Sequence, residues 1–130
     1  MKLTRIVARP LLASIFVSAG VNHLQNPSHA AGMVEPLTEQ LPDTVPSQLT
    51  DPEKLVLVNA VVQVGAGSAL ALGIKPKLAA LALVGSLIPT TLAGHRFWEI
   101  EDPQMQAMQR IQFFKNASLI GGLLSVVGQD

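Results

Sequence analysis

Cysteine is absent from the 130 residues. This excludes disulfides, zinc-thiolate sites, iron-sulfur ligation and any thiol chemistry performed by the chain itself. Charge is scarce too: Asp, Glu, Lys and Arg make up only 14% of the chain and the formal net charge is zero, so no basic field is available to hold nucleic acid. Acids are missing from the apolar runs altogether, since all lie in connections or at the C-terminal Asp130. That argues against a proton pump or cation transporter, which would place an acid within a span. No phosphate loop, nucleophile triad, channel filter, internal repeat or low-complexity tract is present. The three histidines lack the HxxxH spacing that would suggest haem or copper, so neither metal nor cofactor is expected.

Apolar residues fill that space. A hydrophobic fraction of 48% and a mean hydropathy of +0.39 are too high for a soluble domain of this length, and point to a single domain held in a lipid bilayer. Four apolar segments, at about 6–24, 55–74, 78–94 and 107–128, are long enough to cross a hydrocarbon core roughly 30 Å thick. The expected fold is therefore all-α, an integral membrane antiparallel four-helix bundle. The N-terminal segment fits two patterns. Its basic start, apolar stretch and Ser28-His29-Ala30 resemble a cleaved signal peptide, but Ile6 to Leu24 also suffices as an uncleaved first span, and we adopt the second reading.

Between the first two spans the chain turns acidic and proline-rich. Ala30, Val34, Leu37 and Leu41 recur there at helical spacing, suggesting a short helix on the surface or over the bundle mouth, with Pro36 expected to interrupt it. Asp51-Pro52 and Asp102-Pro103 each read as a capped helix start. Lys2, Arg5, Arg9, Lys75 and Lys77 fall on one side of the spans, and Lys54, Arg96 and Arg110 fall on the other among eight acids. The first side is then cytoplasmic, with both termini inside.

The last apolar run contains Lys115, a cation that needs a polar interior or must snorkel. Helical rises place several polar side chains at similar depth, near the outer ends of the spans: Asn22, His23, Asn59, Gln63, His95, Lys115 and Asn116. Such groups must pair with one another whatever the function. They can also form a pocket open to the outside, a small-molecule or quinone-headgroup site in which Lys115 stabilises an anionic oxygen and His23 or His95 exchanges a proton. Gly65, Gly67, Gly121 and Gly122 are expected to let helices approach closely.

Arg9-Pro10-Leu11-Leu12 leads to Phe16-Val17-Ser18-Ala19-Gly20-Val21-Asn22-His23, and Gly65-x-Gly67 follows in the second span. His95-x-Phe97-Trp98, Gln112-Phe113-Phe114-Lys115-Asn116 and Gly121-Gly122-Leu123-Leu124 come after it. Taken in this order, these motifs resemble the DoxX family of small four-span bacterial membrane proteins. Members often carry glutamate where this chain has Gln63, so acid-dependent chemistry does not carry over. The resemblance implies a fold and a bacterial plasma-membrane location more than an activity. Some relatives look like subunits of thiosulfate:quinone oxidoreductase, and others are linked with thiol and oxidative-stress complexes. With no catalytic motif of its own, the chain is expected to be an accessory or scaffold subunit of a plasma-membrane complex, with a protein partner. The alternatives are a subunit contributing to a quinone-linked site, or a binder of lipid or another hydrophobic ligand at the outer mouth.

Overall fold

In the computed structural model, residues 2–129 are described. The helices are α1 (Lys2–Gln25), α2 (Pro27–Thr38), α3 (Pro52–Leu72), α4 (Pro76–Gly94) and α5 (Pro103–Val127), with single 3-10 turns at Ser47–Leu49 and Phe97–Glu99. No strand occurs among the described residues. Three stretches, Lys2–Gln25, Pro52–Leu72 and Pro76–Glu99, are long and apolar enough to cross a membrane. α5 is as long as these, but its first half carries Gln104, Gln106, Gln109, Arg110, Gln112 and Lys115, which lower its hydropathy.

The helix boundaries follow local chemistry. Asp51 accepts hydrogen bonds from the amides of Glu53 (3.1 Å) and Lys54 (3.4 Å), and Asp102 from that of Gln104 (3.2 Å), each with proline in the first turn. These caps satisfy amides that the helix itself cannot. α3 stops at Gly73, whose φ of +74° favours glycine, and the amide of Ile74 folds back to the Ala69 carbonyl at 2.8 Å. α2 forms, but Pro36 does not interrupt it. The carbonyl deprived of a donor is that of Gly32, which lies on the exposed side, so the helix continues to Thr38.

The helices alternate in direction. α1 packs on α3 along the most extensive seam, α3 on α4, and α4 on α5, whereas α1 and α5 touch only sparsely. One end gathers the N-terminal basic residues, the Lys75-Pro76-Lys77 turn and the C-terminal stretch, where Arg9 Nη2 donates to Gln129 Oε1 at 3.4 Å. The opposite, acidic end holds α2 and the α4–α5 turn. There Phe97, Trp98, Phe113 and Phe114 stack edge to face, and Arg110 lies 5.3 Å over the Phe97 ring. The apolar core, with Phe16, Leu70, Leu83 and Leu123 fully buried, sits toward the basic end.

Two glycines allow the α1–α3 seam. A Cβ on Gly20 would lie 2.7 Å from Val64 Cγ2 and 2.9 Å from the Ala60 carbonyl oxygen, and one on Gly67 would lie 2.9 Å from Val17 Cγ2. Gly122 faces Leu12 at an ordinary contact distance. Gly65 and Gly121 have nothing within 4 Å, because each is turned away round its helix from the packed glycine beside it. Gly20→Ala is therefore expected to destabilise the bundle by about 1–3 kcal/mol, and Gly65→Ala to change stability by less than about 0.5 kcal/mol. Unfolding in detergent measures both, and equal losses at the two positions would contradict the seam.

Candidate ligand cavity

Because α1 and α5 stay apart toward the acidic end, a cavity of about 810 Å³ remains among the helices there. Its cover is α2, which turns Ala30, Val34, Leu37 and the following Leu41 onto it. This is the stripe whose spacing suggested the helix. Most of the remaining wall is aliphatic, from Ile15 and Ala19 of α1 to Leu119 of α5.

Polar side chains cross this apolar wall in two sets. In the first, every group has a partner. Ser86 Oγ donates to Asn59 Oδ1 at 2.6 Å, Asn59 Nδ2 donates to Thr90 Oγ1 at 3.2 Å, and Thr90 Oγ1 donates to the Ser86 carbonyl at 2.8 Å. That ring clamps α3 to α4. Asn116 is buried and its Nδ2 donates to Thr91 Oγ1 at 2.9 Å, clamping α4 to α5. His95 ends α4, and its Nδ1 lies 2.6 Å from Gln109 Oε1. An amide oxygen only accepts, so Nδ1 carries the proton and Nε2 is left as the acceptor in the neutral ring.

In the second set, groups lack a partner or hold only a neutral one. Gln63 is 3% exposed, yet its Oε1 has no hydrogen-bond partner and no solvent contact. His23 Nδ1 is buried and unpartnered in the same way. An unmade bond of this kind costs about 1–3 kcal/mol. Lys115 lies on the exposed edge of α5 and donates from Nζ to Gln112 Oε1 at 2.6 Å. Among the described residues, no aspartate or glutamate lines the cavity.

Of the seven polar residues singled out from the sequence, the cavity wall includes His23, Asn59, Gln63, His95, Lys115 and Asn116. Asn22 is off the wall. It is exposed, and its Oδ1 accepts from Asn26 Nδ2 at 3.4 Å, since neighbouring residues on a helix point about 100° apart. Sequence reasoning missed Ser86, a small residue in an apolar helix. The available signal was its position four before Thr90, which puts the two hydroxyls on one helix face. Among the described residues, no three His, Cys, Asp or Glu side chains gather to hold a metal ion.

If the Ser86–Asn59–Thr90 ring clamps α3 to α4, Asn59→Ala should cost about 1–3 kcal/mol by stranding the Ser86 hydroxyl. The Asn59→Ala/Ser86→Ala pair should cost less than the sum of the single changes. A double-mutant cycle by unfolding in detergent reads this directly, and strict additivity would rule the clamp out.

No curated protein and no solved structure matches the chain. Residues 4–96, however, match the DoxX family, a stretch running from the first turn of α1 through α3 and α4 to the start of the aromatic turn. That match covers most of the chain and includes three walls of the cavity, while α5 and Lys115 lie beyond it. With three helices apolar enough to span a bilayer, the chain is a membrane protein and belongs to the DoxX family.

Proposed function

We propose that the chain is a multi-pass protein of the bacterial plasma membrane, with four spans and its basic end in the cytoplasm, and that it holds an apolar small molecule in the cavity beneath α2. The observation that carries this reading is the cavity itself. Its volume of about 810 Å³ falls within the range of about 300–1,000 Å³ usual for small-molecule sites. The walls are mostly aliphatic, with a few convergent polar groups, the composition such sites have.

The fourth span is α5, whose 25 residues extend about 37 Å. Its glutamine-rich first turns then lie at headgroup level beside Trp98, where amphipathic aromatics reside. The clustering of Lys2, Arg5, Arg9, Lys75 and Lys77 at one end supports the orientation.

A second reading, an accessory or scaffold subunit of a membrane complex, draws on the outer face of α5. Ser118, Gly121 and Ser125 are small, exposed and close in helical register, so a partner helix could approach there. The two readings are compatible, because that face points away from the cavity. A quinone is one of the apolar molecules the volume admits, and the redox-subunit role depends on that case.

Native mass spectrometry after gentle detergent extraction tests both. The cavity reading predicts a copurifying lipid-soluble molecule that is lost on Val34→Trp, which fills the roof; a bare chain in a defined larger assembly would favour the accessory role alone. Topology is tested separately, and the absence of native cysteine makes the labelling clean. Thr44→Cys is expected to react with an impermeant maleimide from outside intact cells, and Gln129→Cys only after permeabilisation. Labelling of both from outside would remove the fourth span.

A further inference from the structure

Lys115 stands on the cavity wall with a neutral partner only, and we infer from this that the bound molecule is a long-chain carboxylate, its head held by Lys115 and its chain lying in the aliphatic part of the cavity. This rests on the ligand-binding reading above and specifies the chemistry of its ligand.

Among the described residues, Lys115 is the only Lys or Arg that lines the cavity, and no carboxylate lines it. Its ammonium has three donors, one of which goes to the neutral Gln112 Oε1. A cation within a membrane-spanning helix calls for a counter-charge, and neither the cavity wall nor Gln112 supplies one. Gln63 and His23 line the same cavity, with Gln63 Oε1 and His23 Nδ1 buried and without a partner. The remaining amides are engaged, those of Asn59 and Asn116 with the hydroxyls of Thr90 and Thr91.

An ammonium with donors to spare selects a head made of oxygen acceptors, and a lone cation selects a single negative charge. A carboxylate satisfies both. A phosphate monoester, with about −1.5 to −2 charges near neutral pH, would leave negative charge uncompensated inside an apolar wall. A trimethylammonium head would face Lys115 with like charge, and an alcohol would leave the ammonium without a counter-ion. The unclosed side between α1 and α5, where Lys115 stands on the exposed edge, is the route by which a chain dissolved in the bilayer enters.

The test uses the full chain, stripped of copurifying lipid, in micelles of an uncharged detergent. It is titrated with a saturated fatty acid and with the alcohol, the trimethylammonium salt and the phosphate monoester of the same chain length. The acid is expected to bind at least about tenfold more tightly than the alcohol, the size of one hydrogen bond to a charged group. Lys115→Met should bring the acid down to the affinity of the alcohol without weakening the alcohol, and Lys115→Arg should keep most of the preference. Equal binding of acid and alcohol, or an undiminished preference in Lys115→Met, overturns the carboxylate assignment while leaving the cavity as a ligand site. Tighter binding of the phosphate or the trimethylammonium compound overturns it too. If none of the four binds, the ligand-binding reading falls with it. Should Lys115→Met fail to fold, the comparison of acid with alcohol on the unaltered chain decides alone.

Discussion

The closeness of α1 to α3 governs the rest of the architecture. At Gly20 and Gly67 the helices come near enough that a methyl group would meet a neighbour at under 3 Å, in one case a backbone carbonyl. Drawing α1 onto α3 so tightly commits its packed face to that neighbour. α5, docked on α4 at the other end of the row, then meets α1 mainly near the basic end, through Leu12 against Gly122 and Arg9 with Gln129. The dry core around Phe16, Leu70 and Leu83 occupies the closed half of the bundle, and the cavity occupies the half that stays open.

Hydrogen bonding divides along the same line. Within a bilayer, polar side chains gain by pairing between helices, and here they do so across α3–α4 through Asn59, Ser86 and Thr90, and across α4–α5 through Thr91 and Asn116. Among the described residues, no such clamp joins α1 to α5 in the open half. Gln63 and His23, left over from this pairing, each line the cavity with a buried atom that has no partner, and Lys115 lines it with a neutral partner only. Structural need thus accounts for the satisfied set, and the unsatisfied set is what gives the cavity its chemical character.

Much of the local structure was legible because it depends on neighbours in the chain. Asp51-Pro52 and Asp102-Pro103 start helices through their own side chains, and the helical spacing of Ala30, Val34, Leu37 and Leu41 sufficed to find α2 and its apolar face. Pro36 was harder to read. Its effect depended on whether the carbonyl it deprives faces protein or the outside.

By itself, then, the sequence determined the membrane setting, the helices and their starts, and a set of polar residues at similar depth, since hydropathy, caps and rise per residue are local quantities. Only the tertiary structure decided how each helix is rotated about its axis. That rotation turns His23 onto the cavity and Asn22 off it, packs Gly67 against α1 while Gly65 faces open space, and brings Ser86 into the polar ring. It is set by which helix faces can approach most closely, a property of pairs of surfaces that no single stretch of sequence contains.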